Sequence, residues 1–479
     1  MLPPRSMVPV DSIFNATAVT IDACYSQCGT GQESFDWAVF SQDFAAWLLP
    51  YLALISQLPF GARHQVDNLM SALLTVGSPT LAGYSLFLTL LNARWINQQF
   101  DSIDFPRRKL RETVVDVLSS LQQVPLRVYP GEAAFLESLV ILPQNDNWWT
   151  TLSDSLNYTH SWSISSATAI AWVVIAYLLT VADSLSNVAD HINSNGQGTG
   201  SAWLWLLPVV VGWLVLAPKC AYGRVQHAFE QANQHIVVAD AERNALKPNS
   251  GITIVSWSRS AYITSLLYRS AWSKAQRQIR VDGSAGWQTV PNSRAIHETN
   301  RQGNRAQVVA YSSLVTLGLQ WGTTGAAVLA VRYTPTTRLG CRSLAYIIYG
   351  AASTISWFLL VLSSLLANYA TPPSNASPTQ TVTMQLTMAL SNNLRWAGKA
   401  LAGLNAAFII TISVFQYANF YDRCYCNSSV LSRGSQAYDI VVILYSDVAL
   451  ARGAWIGALV LASMCSLVFV VIGYPAIPS

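Results

Sequence analysis

From Ala454 to Tyr474 the chain carries no charged side chain. A hydrocarbon core about 30 Å thick takes roughly 20 helical residues at 1.5 Å each, so this run is long enough to cross one. Further apolar stretches reach or approach that length: Phe44–Ala62, Asn68–Ile96, Ser165–Ala182, Ala202–Pro218, Val308–Val331, Leu344–Asn368 and Ala397–Phe420. In lipid a backbone satisfies all its N–H and C=O groups only as a helix or a closed barrel. The runs are continuous rather than alternating, which selects helices. The expectation is an all-α integral membrane bundle of about eight transmembrane helices.

Composition agrees. Hydrophobic residues make up 52% and charged residues 11%, against the usual quarter charged. The 17 Trp and 20 Tyr suit a chain whose amphipathic rings sit at headgroup level. The net charge of +4 is small and dispersed. No basic patch interleaved with aromatics forms a nucleic-acid surface, so the expected partner is the lipid bilayer. Gly318-x3-Gly322 allows close helix approach, inside the bundle first and in a homodimer or a membrane-protein complex second. No cofactor motif is present.

The runs divide the chain. Residues 1–43 form a tail, and 44–96 hold the first two spans. Residues 97–164 form a soluble loop, and 165–218 hold spans three and four. A large basic loop covers 219–307. Spans five and six fall in 308–368, a Thr/Ser/Pro-rich loop in 369–394, and the last two spans in 395–479. Pro50, Pro59, Gly77-Ser78-Pro79 and Pro208 interrupt spans, and proline removes a backbone donor. Two loop stretches have apolar residues at helical spacing. One is Leu110, Val114, Val115, Val117, Leu118 and Leu121; the other is Val225, Ala228, Phe229, Ala232, Ile236 and Val237. Packing on the protein, rather than on lipid, is the first reading of both.

Charge sets the expected orientation. The tail holds Arg5 against Asp11, Asp22, Glu33, Asp36 and Asp43. The short loop Arg332–Arg342 has three arginines and no acid. The positive-inside rule then puts the tail outside, that loop in the cytosol, and both termini outside. Sequons at Asn15, Asn157 and Asn375 fall outside as glycosylation candidates, and the one at Asn427 falls inside. The 12 basic and 5 acidic residues of Lys219–Arg305 disagree, since this order places them outside. A secretory-pathway or plasma membrane is the expected location. Cys24 and Cys28, in the outside tail, suit a local disulfide.

Ionisable groups within a span usually mark function, because they cost about 3 kcal/mol or more at mid-bilayer. Here Arg94, Asp183 and Lys399 lie only at span edges, which argues against an ion-coupled carrier. Asp101 and Asp104 follow the second span, a position for Mg²⁺ and a diphosphate, but no tightly spaced partner site faces them. Arg107, Arg108 and Lys109 can pair with them instead. The densest polar cluster touching two spans is Asp183, Asp190 and His191, before an Asn/Gly-rich turn. It is the candidate acid–base site if the chain is an enzyme, with Trp203, Trp205 and Trp213 as an apolar wall. The plainer reading makes Asp183 a helix-end cap, Asp190 and His191 solvated, and the tryptophans headgroup anchors. No metal-ligand spacing is present among the six histidines.

Cys24–Gly29, Trp47–Pro59, Gly77–Tyr84, Ser201–Trp213, Leu319–Ala326 and Leu339–Gly350 carry a resemblance. They look like a largely uncharacterised family of multi-pass membrane proteins of filamentous fungi. The resemblance implies the membrane bundle and an association with fungal secondary metabolism; it implies no catalytic residues. The function expected first is a non-catalytic accessory, scaffold or sensor protein. An integral membrane enzyme on a lipophilic prenyl or polyketide-like substrate follows, then a facilitative transporter.

Overall fold

The computed structural model describes residues 6–10, 18–31, 48–58, 60–61, 64–100, 108–121, 126–128, 145–157, 164–192, 202–216, 222–234, 238–239, 245–246, 255–257, 300–370 and 382–473, with scattered positions in 34–44. Its helices are long and apolar, as the runs require. Among the described residues five are long and apolar enough to cross a membrane, and a sixth candidate is a bent pair.

The chain opens with strands β1 (Ser6–Val10) and β2 (Ala18–Thr20) and helix α1 (Ile21–Cys28). Thr20 caps α1, its hydroxyl accepting from the Ala23 N–H at 3.3 Å. Helix α2 (Leu49–Ser56) is short and starts at Pro50. Its eight residues span about 12 Å, and parts of the expected span Phe44–Ala62 lie outside the described residues. Helices α3 (Gln65–Gly77) and α4 (Pro79–Phe100) meet at a bend of 105° at Ser78. The second expected span is therefore broken. Pro79 lacks an N–H and its ring crowds the preceding turn.

Helix α5 (Arg108–Ser120) buries Leu110, Val114, Val115, Val117 and Leu118. It packs against α4 and α6 (Asp146–Asn157), and α6 packs on α10 (Tyr222–Asn233). Val225, Ala228, Phe229 and Ala232 of α10 are buried. Both amphipathic stretches thus pack on protein; Ile236 and Val237 lie outside the described residues. Strand β3 (Leu126–Val128) pairs with β6 (Val255–Trp257), and β4 (Val238–Ala239) with β5 (Ala245–Leu246). Helices α5, α6 and α10 form a module at one end of the bundle.

Helix α7 (Ile164–Ser186) is the third expected span, followed by α8 (Val188–His191). The fourth reduces to α9 (Leu206–Leu216), about 16 Å of helix. The remaining long helices are α11 (Asn300–Tyr333), α12 (Cys341–Ala370), α13 (Val382–Tyr417) and α16 (Tyr445–Gly473). Between the last two stand α14 (Cys424–Asn427), α15 (Val430–Arg433), β7 (Tyr438–Ile440) and β8 (Val442–Leu444).

Helices α12 and α13 pack as an antiparallel pair. The Ser356 hydroxyl donates to the Gly398 carbonyl at 2.9 Å, and Ser363 and Ser391 each donate to the other's carbonyl. Small and hydroxyl residues are the usual glue between helices in lipid. Helix α11 packs on α16, with Gly322 seated against Cys465. Gly318 faces open space, so only the second glycine of that pair serves helix packing here.

The two ends of the bundle are distinct. β2 pairs antiparallel with β7, and β1 parallel with β8, directly ahead of α16. The tail therefore sits at the start of α16. Gly473, 29 residues on, lies against Leu90 and Phe87 of α4, about 43 Å away. Residues 18–28 and Gly473 thus occupy opposite ends of the described bundle.

Candidate functional site

Two polar centres stand out, one in the body of the bundle and one at the tail's end. The first is built on the broken helix. Ending α3 at Gly77 frees its last carbonyls, and starting α4 at Pro79 frees its first N–H groups. Three neighbouring helices answer several of them. The Tyr349 hydroxyl donates to the Val76 carbonyl at 2.7 Å. Asn405 Nδ2 donates to the Gly77 carbonyl at 2.7 Å and to the Tyr349 carbonyl at 3.0 Å. The Thr80 N–H donates to Gln320 Oε1 at 3.2 Å, and the Ser353 hydroxyl to the same oxygen at 2.6 Å. Gln320 Nε2 donates to the Gly350 carbonyl at 2.7 Å, and the Ser78 hydroxyl to the Ser353 carbonyl at 3.1 Å.

Gln320, Ser353 and Asn405 sit 13, 12 and 12 residues from the tail-side ends of α11, α12 and α13. At 1.5 Å per residue that is a common depth of about 18–20 Å, near the middle of the bundle. All of these side chains are nearly fully buried. Gly77 lies against the Ala402 carbonyl and the Ala406 N–H, so no side chain fits there. Tyr51 and Trp205 interact with Tyr349 without reaching hydrogen-bond geometry. Thr80 Oγ1 and Asn405 Oδ1 have no partner among the described residues. The centre is made of amides and hydroxyls, which bind and orient but do not exchange protons near neutral pH.

The second centre is a covalently tied cap. Cys24 of α1 is bonded to Cys424, 400 residues away, and Cys341 to Cys426. Cys28 is free and exposed, so the local Cys24–Cys28 disulfide is replaced by a long-range one. Spacing suggested the near partner; strand pairing between β2 and β7 supplies the far one. Between the disulfides lies Arg342, only 7% exposed. Its Nη2 donates to Asp422 at 2.7 Å, Nε to Gln416 at 2.8 Å and Nη1 to Asn427 at 3.3 Å. Arg433 donates to the Thr337 carbonyl at 2.9 Å and lies over the Tyr438 ring. Burial pushes the Tyr421 hydroxyl above its ordinary pKa, opposed by Arg342, so the ring stays neutral at physiological pH.

Of the predicted acid–base cluster, only Asp183 has a described side chain. Asp183 is exposed at the end of α7, where its carboxylate accepts from Asn187 at 3.2 Å, the helix-end role. The backbones of Asp190 and His191 complete α8 against α16 and β1; their side chains lie outside the described residues. So do Asp101 and Asp104. Asp447 accepts from the Leu444 N–H and caps α16. Among the described residues no group of three His, Cys, Asp or Glu is placed to hold a metal ion. Trp203 and Trp205 are core residues at 6% and 0% exposure, rather than headgroup anchors. Trp203 packs edge-on against Tyr177.

Gln320, Asn405, Tyr349 and Arg342 were not singled out from the sequence. The available signal was an amide inside an apolar run, which carries no charge and so escapes a search for buried ions. No protein-family model, no curated protein and no solved structure matches this chain.

Proposed function

We propose that this is a non-catalytic membrane protein, an accessory or sensor component of the secretory pathway or plasma membrane. Its disulfide-tied cap lies outside the cytosol and its helical module inside. The two long-range disulfides carry the orientation, because such bonds persist in oxidising compartments. The large basic loop, Lys219–Arg305, then falls at the module end, on the cytosolic side that the positive-inside rule favours. The passages are residues 48–100 once, then α7, α9, α11, α12, α13 and α16, seven in net. With this orientation Asn15 and Asn427 are outside, and Asn157 and Asn375 are cytosolic. Asn15→Gln removes a glycan; Asn157→Gln and Asn375→Gln change nothing. A glycan at Asn157 or Asn375 contradicts the orientation.

One observation carries the sensor reading. Helix α4 starts at the polar break, packs on α11, and continues to the module helix α5. A shift at the break therefore moves a rod that ends in the cytosol. Coupling of two sites needs an element with two arrangements that both sites bias. The test is hydrogen exchange on the purified protein, with the cap disulfides intact and reduced. Changed protection in 108–120 and 146–157 supports coupling; an unchanged module leaves only a scaffold. The enzyme reading is tested separately. A deletion strain with an altered metabolite profile is complemented with Asp183→Asn, Asp190→Asn and His191→Ala together. Full restoration supports the non-catalytic reading, and loss of the product supports an enzyme.

A second reading has its own observation. Broken helices at mid-bilayer hold substrates in many transporters, and Thr80 Oγ1 and Asn405 Oδ1 are unspent at this break. A facilitator reading predicts solute flux in proteoliposomes that Asn405→Leu abolishes.

A further inference from the structure

An apolar run that begins at Ala397 puts Lys399 at the edge of a span. Helix α13 instead begins at Val382 and ends at Tyr417, which moves Lys399 to its middle. The neighbouring helix gives the level. The Ser356 hydroxyl of α12 reaches the Gly398 carbonyl, and Ser363 meets Ser391 seven residues away in each helix. This antiparallel register sets Lys399 beside Ile355 and Arg395 beside Leu359. The stretch of α12 long and apolar enough to cross a membrane is Cys341–Ala367. Lys399 therefore stands about 21 Å from one end of that stretch and about 18 Å from the other. Arg395 stands about 12 Å from its nearer end. At the same level α12 turns Ile355 and Phe358 outward, each about half exposed, as a lipid-facing surface does.

The two cations lie on the outer side of α13. The inner side is packed, with Gly398 against Leu359 and Leu360 and with Ser391 and Ala402 buried. Lys399 is exposed, Arg395 is half-buried, and Trp396 beside them is 75% exposed. Gly403, one turn from Lys399, has open space where a side chain would stand, which lets a foreign helix backbone come close. Among the described residues neither cation has an ion-pair partner. Helices α11, α12 and α13 contain no carboxylate. A cation at mid-bilayer is costly unless another group pairs with it, and snorkelling along the Lys399 stem falls short of either end of the span.

We infer that this face of α13 receives a transmembrane helix of another protein, one that carries an Asp or Glu near its middle. Charge complementarity selects that partner. Lys399 and Arg395 are four residues apart, neighbours on one helix face, and a single carboxylate can lie between them. A second copy meeting the same face sets cation against cation. An anionic headgroup stands beyond the end of the span, about 12 Å from Arg395. The inference gives the accessory reading a partner class and rests on it. It needs neither the orientation of the cap nor coupling to the module. Metabolite complementation decides the accessory reading by itself, so the two fail separately.

The test places the full chain in phosphatidylcholine nanodiscs, with a photo-reactive amino acid replacing Asn392, exposed two turns from Lys399. The probe is a transmembrane peptide of leucine and alanine with one central glutamate, and the control peptide has glutamine there. The glutamate peptide is expected to be captured at about ten-fold lower concentration, the value of one polar pair in lipid. Lys399→Met and Arg395→Met each reduce this preference, and together they remove it. Lys399→Glu combined with Arg395→Glu transfers the preference to a peptide with a central lysine, which a merely structural role does not do. Equal capture of the glutamate and glutamine peptides, or a preference that survives the double Met variant, overturns the site. Crosslinking of two copies of the chain in place of the peptide overturns it as well. So does capture of added phosphatidylglycerol in place of the glutamate peptide, which makes the pair a headgroup contact. Both side chains lie outside the packed core, and a monodisperse peak for each variant checks that the fold is kept.

Discussion

The break in the bundle and the cap are both polar, yet they are built from different residues. At the break, Gln320, Tyr349, Ser353 and Asn405 answer backbone groups freed between Gly77 and Pro79, and no charge takes part. At the cap, Arg342 is buried against Asp422, and two disulfides fix the loops around it. The difference follows from solvent. An unsatisfied backbone group in lipid costs several kcal/mol, and a neutral amide repays it without desolvating an ion. At the cap water is near, so an ion pair is affordable, and loops that have little core gain order from covalent ties.

The comparison can be broken by substitution. The largest effect is expected from Gly77→Ala, whose added Cβ meets the α13 backbone at Ala402 and Ala406. Neither backbone can yield, so the loss is about 3 kcal/mol or more, read as loss of the monodisperse peak and a lowered Tm. Gly318→Ala, with nothing within 4 Å of the added atom, is the neutral control. Removing Cys341 and Cys426 together by serine costs about 2–4 kcal/mol, and a reducing agent lowers the wild-type Tm similarly. Asn405→Leu leaves the Gly77 and Tyr349 carbonyls without their donor and costs about 1–2 kcal/mol. Arg342→Lys keeps the charge but loses the fork to Asp422, Gln416 and Asn427, about 1 kcal/mol.

Much of the bundle was legible from the sequence. The runs Ala454–Tyr474 and Leu344–Asn368 correspond to α16 and α12, with Tyr474 outside the described residues, because a charge-free run of that length has few alternatives. Within the run Phe44–Ala62 the described helix α2 is short, burying Tyr51, Leu54 and Ile55 while Leu49 and Leu52 stay exposed. The Gly-Ser-Pro interruption was visible, but its partners come from α11, α12 and α13, hundreds of residues away. At Arg332–Arg342 the positive-inside reading and the proposed orientation disagree over three arginines. One of them belongs to a buried ion pair at the cap. Cysteine spacing failed, since Cys24 meets Cys424 through strand pairing that no local pattern announces.

In the proposed orientation the cap faces away from the cytosol while the module faces it. Cys28 offers the most direct measurement, being free and exposed within the cap. A membrane-impermeant maleimide is applied to intact cells or spheroplasts carrying the protein at the plasma membrane, with Cys28→Ala as the control. Labelling of Cys28 without permeabilisation, lost in Cys28→Ala, is the predicted result. Labelling of Cys28 only after the membrane is permeabilised would contradict the account.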